Sequence, residues 1–353
     1  MRETEAWKKV LLGPDRSIRD AVASLDANPI KLVIVVDSTG ILLGTITDGD
    51  VRRGTLAGRN LQDPLHLIMN KKPLKATLAD NPKELQKKMR IKTIRQVPIV
   101  DADNRILALE VYDDPNANLV RENWVVLMAG GLGSRLGALT EATPKPLLPV
   151  GDKPILETIL ENFIAYGFRK FFISVNYKAE MIENHFGTGE KWGIEIRYLR
   201  EKERMGTAGP LSLLPGDLTQ PLLVMNGDLL TKTNFLQLLD FHEEQKSLAT
   251  MCVREFDLQV PYGVVRLDSN QITHIDEKPI HHFFINAGIY LLDPSALMLI
   301  PKGQFYDMPS LFEKLIKRKS TTAAFPIREY WLDIGRLTDL ERANDDFKIQ
   351  FNG

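Results

Sequence analysis

The sequence predicts an α/β protein in two parts, a small α+β module made twice and a larger α/β half behind it, on three observations. Residues 33–50 and 97–114 align without a gap at an offset of 64, VIVVDSTGILLGTITDGD facing VPIVDADNRILALEVYDD. An apolar run, Trp124–Met128, enters a glycine cluster at Gly130, Gly131 and Gly133. Two later apolar runs, LLVMN and YWLDIG, reach carboxylates at Asp228 and Asp333. Self-similarity at that period marks a repeated supersecondary unit, and strand-to-glycine and strand-to-carboxylate junctions are where open α/β sheets hold ligands.

In the first part, each copy reads as a β-rich run closing on Val-Asp, a turn (Ser38–Gly40, Ala102–Asn104) and a second strand ending at an acidic pair. An amphipathic helix precedes each copy, SIRDAVASLDAN and NPKELQKKMRIKT. The result is a doubled βαββ-like unit, its halves at about 1–60 and 61–117. The polar stretch Asp113–Asn123, with one proline, reads as the connection, with residues 118–123 as the linker to a second part spanning 124–353.

The second part opens with a strand, a glycine turn and a helix start, the arrangement that aims backbone N–H groups at an anion. Two common glycine loops fail here. A P-loop needs Gly-Lys-Ser/Thr, but Gly133 is followed by Ser134 and Arg135; a dinucleotide fingerprint on Gly131 and Gly133 needs glycine where Leu136 stands. Lys145 sits between Pro144 and Pro146, so its ammonium is presented from a stiff segment beside the loop. A stiff cation next to a glycine loop suits a triphosphate.

The first part, with GTITDGDVRR closing its first copy, resembles a CBS-domain pair, a tandem α+β (Bateman) module. That resemblance implies an adenine nucleotide between the copies, held through Thr47 and Asp50, a hydroxyl and a carboxylate suited to ribose OH groups. The second copy keeps Asp114 but has Val111 and Ala108 in place of Thr47 and Gly44, so one good site at most is expected. The plainer alternative is a packing or dimerisation module with no ligand.

The stretch MAGGLGSRLGALTEATPKPLLPVGDKPIL closely resembles the signature of sugar-1-phosphate nucleotidylyltransferases, and later motifs follow in that family's order to about residue 347. The resemblance implies a Rossmann-like, mixed, mainly parallel sheet of the GT-A-like nucleotidyltransferase kind. It implies nucleotide contacts from Met128, Ala129, Gly130, Gly131, Gly133, Ser134, Glu201, Gly206 and Thr207, with Arg135 and Lys145 as the catalytic cations. It places Mg²⁺ on Asp228 and Asp333, 105 positions apart, and the sugar phosphate on Gly263, Glu277, Lys278, Asn286 and Gly288. A helix is expected to begin at GTAG, residues 206–209. His281 and His282, adjacent and without acidic residues at metal spacing, read as loop residues.

The implied reaction is attack of a sugar-1-phosphate oxygen on the α-phosphorus of a nucleoside triphosphate, releasing pyrophosphate, for cell-surface glycan synthesis. Pyrimidine-specific relatives place a Gln five residues before the base-loop glycine, and counting back from Gly206 gives Glu201. A carboxylate accepts and does not donate, which suits guanine's N1–H and N2–H₂ donors and points to GTP. A CBS pair in front of such an enzyme resembles bacterial guanylyltransferases acting on glucosamine-1-phosphate, with mannose- and heptose-1-phosphate as alternatives. The competing reading, a non-catalytic adenylate sensor, leaves the set Arg135, Lys145, Asp228, Lys278 and Asp333 unexplained.

Bulk properties exclude other classes. A net charge of −1 over 353 residues gives no global basic field for nucleic acid or an anionic membrane. The single cysteine, Cys252, lies in an apolar run and reads as a small core residue, which suits a reducing, cytoplasmic compartment. No membrane-length apolar stretch occurs, and a soluble homo-oligomer is expected.

Overall fold

The computed structural model describes residues 2–3, 6–91, 94–112 and 120–351, and the chain divides into two compact units, 1–119 and 120–353. Of the connection expected at Asp113–Asn123, residues 113–119, with Asp114, lie outside the described residues. Arg121–Asn123 are already strand, because the strand entering the glycine cluster starts at Arg121 and pairs from there.

The first unit carries its repeat into three dimensions. The helix Ile18–Ala27 recurs as Pro82–Ile91, and the strand Leu42–Ile46 recurs as Ile106–Val111, starting 64 residues on and running one residue longer. Leu12 lies parallel to Val35, and at the same offset Ala76 lies parallel to Ile99, so each copy is a βαββ unit. Ser17 caps the first helix with a reciprocal pair: Asp20 N donates to Ser17 Oγ (3.2 Å) and Ser17 N to the Asp20 carboxylate (3.0 Å). The two hairpin turns meet. Leu42 N donates to Asn104 O (2.9 Å) and Ile106 N to Gly40 O (3.2 Å), an exchange related by the same offset. Gly40 and Asn104 both take left-handed φ, +85° and +65°, which only glycine and a few residues such as asparagine adopt cheaply. Ile34, Leu42, Val100, Ile106 and Leu109 fill one core from both copies.

The second unit is a seven-stranded sheet in the order Glu195–Arg200, Phe168–Val175, Arg121–Met128, Leu222–Asn226, Ile280–Leu292, Ala249–Gln259, Thr322–Ile327. Only Ile280–Leu292 runs antiparallel to its neighbours, so the sheet is mixed and mainly parallel. Val125, Val126 and Leu127 are fully buried, as a strand covered on both faces requires. Val125 and Leu127 pack with the helix Ile155–Ala165, Val126 with the helix Met308–Lys317. Cys252 is buried, as expected. Because Ile280–Leu292 runs against Leu222–Asn226, the residues before Gly288 continue past the carboxyl ends of the central parallel strands. With Ala249–Gln259 they form a long two-stranded arm, joined at its outer end to the hairpin Gly263–Asp268/Gln271–Glu277. His281 and His282 are therefore strand residues, not loop residues: their cross-strand partners are Leu258 and Asp257.

Candidate active site

The site is built at the carboxyl ends of Arg121–Met128 and Leu222–Asn226. Beyond Met128, Ala129 N still donates to Ser174 O (2.9 Å), and the chain then turns through its glycines. Gly133 has φ +67°, and a Cβ there would also lie 2.9 Å from Thr140 Cγ2 and 3.0 Å from Lys145 Cβ. The expected helix is a single 3₁₀ turn, Ser134–Leu136, followed by the short Leu139–Ala142, because Gly137 (φ +56°) breaks the helical path. Buried Thr140 closes the loop, its Oγ1 donating to Gly133 O (3.1 Å) and Gly137 O (3.0 Å). Its role had no local signal, since a threonine in a polar stretch is unremarkable until the loop folds over it.

Lys145 stands in a 3₁₀ turn, Lys145–Leu147, after Pro144, and is 7% exposed. Its ammonium donates to Asp228 Oδ2 at 2.6 Å. The strand Leu229–Thr231 pairs antiparallel with Trp331–Asp333, placing Leu229 opposite Asp333, and Ile334 N donates to Asp228 O (3.0 Å). Two carboxylates far apart in sequence are thus neighbours. Burial raises the Asp333 pKa above the usual carboxylate range, and the Asp228 charge adds to this, against the opposing pull of Lys145 and Arg135. Asp333 Oδ1 is buried and has no hydrogen-bond partner among the described residues. An orphaned, buried carboxylate oxygen beside a second carboxylate is a donor set that fits a hard divalent cation. Arg135 reaches the same place from the loop, since a Cβ on Gly335 would lie 3.5 Å from its Nη1.

Glu201 forms a second wall. Its Oε1 accepts from Ser174 Oγ (2.6 Å) and its Oε2 from Met205 N (3.0 Å). A Cβ on Gly130 would lie 2.3 Å from Glu201 Oε1, so a side chain there would have to push the carboxylate off its bonds to Ser174 and Met205. The segment after Glu201 is a loop whose next element is the 3₁₀ turn Gly209–Leu213, not a helix from residue 206. Gly206 has φ +78°, and Thr207 N donates to Asp307 Oδ1 (3.0 Å), the cap residue of Met308–Lys317. Asp307 is a support for this loop that linear reading did not single out.

Asn286 and Gly288 also reach the site. Gly288 N donates to Asn286 Oδ1 (2.9 Å), Asn286 Nδ2 to Tyr290 OH (2.7 Å), and Trp331 Nε1 to Ala287 O (2.9 Å). Gly288 (φ +71°) abuts Asn226, whose Nδ2 would lie 2.7 Å from an added Cβ. Asn226 Oδ1 is buried without a partner among the described residues, an unexpected acceptor two residues before Asp228.

Gly263, Glu277 and Lys278 are not brought here. Gly263 faces Glu277 across the outer hairpin, Lys278 (φ +48°) follows it in the turn, and all three are exposed. From Ile280 to Asn286 the strand is unbroken, about 20 Å of chain at 3.4 Å per residue. The long arm therefore separates them from Asn286. On that arm His282 Nδ1 meets Asp257 Oδ1 at 2.6 Å, with Glu255 alongside, an exposed group that could hold a metal. Sheet register supplies acidic neighbours that spacing in sequence does not show.

In the first unit, Thr47 and Asp50 bond to each other. Thr47 N and Oγ1 donate to Asp50 Oδ2 (2.8 and 2.7 Å) and Arg53 Nη2 to Asp50 Oδ1 (2.7 Å), capping the helix Asp48–Leu56. Among the described residues no helix is long and apolar enough to cross a membrane.

Comparison with known proteins places this geometry. The family model of nucleotidyl transferases matches residues 124–349, and that of the CBS domain matches residues 7–56. A mannose-1-phosphate guanyltransferase of Yarrowia lipolytica is 34% identical over 222 residues, 61% of this chain and 61% of the relative. A UTP–glucose-1-phosphate uridylyltransferase of Synechocystis is 31% identical over 238 residues, 62% of this chain and 61% of the relative. The chain thus spans about three fifths of the length of these curated relatives. The crystal structure of HddC from Yersinia pseudotuberculosis superposes with a TM-score of 0.51 at 26% identity, covering 64% of this chain and all of that one. The chain belongs to the nucleotidyl transferase family, with a CBS domain in front of the matching half.

Proposed function

We propose that this chain transfers a nucleoside monophosphate, GMP in preference, from a nucleoside triphosphate to a sugar 1-phosphate, releasing pyrophosphate. Glucosamine-1-phosphate is the favoured acceptor, with mannose- and heptose-1-phosphate behind it. The observation that carries the reading is the buried Lys145 ammonium on Asp228, beside Asp333, at the mouth of the glycine loop. The guanyltransferase relative supports the base, and the uridylyltransferase relative defines the alternative.

A sugar phosphate monoester is already an ionised nucleophile at neutral pH, so the protein need not remove a proton. Its work is positioning and charge neutralisation. The amides of residues 130–133 and Arg135 hold the outer phosphates. Lys145 neutralises charge at the α-phosphate, and Asp228 and Asp333 would hold a divalent cation, Mg²⁺ in preference, which when bound supplies further neutralisation there. Glu201 accepts from the guanine edge, fixed by Ser174 and Met205 N. Asn286 and Gly288 line the acceptor side. Gly263, Glu277 and Lys278 take part only with the arm folded inward, and the reading does not rest on them. In the first unit, an adenine nucleotide at Thr47 and Asp50 would regulate turnover.

A matrix of the four nucleoside triphosphates against glucosamine-, mannose-, heptose- and glucose-1-phosphate, read by pyrophosphate release, tests the whole proposal. GTP with one acceptor is the expected best pair. Preference for UTP or dTTP overturns the base assignment, and no turnover with any pair overturns the reaction.

A further inference from the structure

Between Phe256 and Phe284 ten large apolar side chains are 44 to 74% exposed, a concentration that a monomer in water rarely carries. Four of them form a stripe on the outer hairpin. Val265 lies opposite Ile275 and Leu267 opposite Ile272. Ile272 and Ile275 have opposite parity, so in a regular strand they would point to opposite faces. A bulge falls between these pairs, leaving Thr273 unpaired, and Thr273 Oγ1 donates to Arg266 O (3.1 Å). The extra residue brings the four aliphatic side chains to one face. The other face carries Arg266, His274 and Asp276, joined by Arg266–Asp276 (3.1 Å) and His274–Asp276 (2.8 Å) contacts. An irregularity that gathers four aliphatic side chains onto one side, leaving Val264 with the charged residues on the other, makes an adhesive face.

We propose that this arm is the interface between two copies of the chain, the stripe Val265, Leu267, Ile272 and Ile275 packing on its equivalent about a two-fold axis, with Phe256 and Phe283 on the adjoining ribbon extending it. Size supports a second copy. These six side chains, about 200 Å² each and about half exposed, offer roughly 600 Å² per copy, the lower end of the roughly 600–1,000 Å² per partner of a specific interface. Symmetry supports it as well: a stripe of near-identical aliphatics is self-complementary, as a two-fold contact requires. A two-stranded hairpin with a bare apolar face is also marginal until covered. Charge argues against nucleic acid or an anionic membrane, since between Phe256 and Phe284 four carboxylates stand against two cations, Arg266 and Lys278. The inference does not depend on the proposed reaction.

The test is the mass of the full chain by size exclusion with light scattering, for the native sequence and for the double variant Leu267→Asp, Ile272→Asp. The native chain is expected at no less than twice its 39.9 kDa mass, and the double variant at half the native mass with an unchanged circular dichroism spectrum. Leu267→Cys provides a second measurement that needs no charge in the stripe: under mild oxidation it should give a covalent dimer, since the native Cys252 is buried. A native chain that is monomeric at every concentration overturns the proposal, and amide-exchange protection of residues 263–277 in that monomer would mean that the chain covers its own arm. A native oligomer whose mass the double variant leaves unchanged, with no cross-link from Leu267→Cys, overturns it too, by placing the interface elsewhere.

Discussion

Replacing Glu201 with glutamine should move base preference while leaving the fold intact. Glu201 receives two hydrogen bonds of different character: one from the Met205 amide, which can only donate, and one from the Ser174 hydroxyl, which can donate or accept. In Glu201→Gln the amide oxygen must therefore face Met205 N, and the amide nitrogen must take the place of Oε1, with the Ser174 hydroxyl turning to accept from it. Oε1 is the atom against Gly130, so the group presented beside the glycine loop changes from acceptor to donor. Guanine's N1–H and N2–H₂ would then meet a donor where they met a carboxylate. Hydrogen bonds to a charged partner contribute about 1.5–3 kcal/mol, or a factor of roughly 10–150. The kcat/KM for GTP relative to UTP and dTTP, measured by pyrophosphate release, should fall by that factor, with a thermal midpoint close to that of the native chain. An unchanged GTP preference in a folded variant would refute Glu201 as the base-reading residue, whatever the activity of the enzyme.

Lys145→Ala removes the cation 2.6 Å from Asp228, and Asp228→Asn removes its partner; each should cut turnover about 100–1000-fold, and near-normal rates in protein with a native circular dichroism spectrum would sink the assignment. Asp50→Ala strips the acceptor of Thr47 and Arg53 from the first unit; it should lower stability by about 0.5–2 kcal/mol and abolish adenine nucleotide binding in calorimetry. Unchanged binding and kinetics would end the regulatory reading. Burial pushes the pKa of His242 down, and its Nδ1 pairs with Thr250 Oγ1 at 2.8 Å. A depressed pKa in the folded state means that the unfolded chain binds the extra proton first. The stabilisation is thus complete above about pH 6.5 and is lost as pH falls toward the folded value. Denaturation at pH 7.5 and 5.5 should show a smaller acid loss in His242→Gln than in the native chain, and equal losses would count against this account.

The repeat was legible because its information is local: an offset of 64 in the sequence reappears as the same offset in helix bounds, strand pairs and the hydrogen bonds between the two turns. Strand-end carboxylates were legible for the same reason, each announced by its own apolar run. What joins them was not, because the pairing of Leu229 with Asp333 is a matter of register between strands a hundred residues apart. The same blindness hid the acidic neighbours of His282, the Thr140 closure of the glycine loop and the orphaned acceptor of Asn226. It also hid the arm. The family resemblance implied Glu277 and Lys278 at the sugar, but whether the seven positions between Lys278 and Asn286 fold back or extend is decided by the continuous ladder between Ala249–Gln259 and Ile280–Leu292.

The glycine cluster shows how much a one-letter pattern compresses. Gly133 is required by conformation, since its φ of +67° lies where side-chain-bearing residues are strained. Gly130 is favoured by space, because a Cβ there would displace the Glu201 carboxylate from Ser174 and Met205 N. One glycine shapes the turn that would receive the triphosphate; the other brings the backbone of that turn against the carboxylate that would read the base. Because the Glu201 carboxylate fills the space beside Gly130, a carboxylate displaced by a wrong base would press on the turn whose amides would hold the phosphates. With Glu201 as the base reader, selectivity should then appear in kcat as well as in KM.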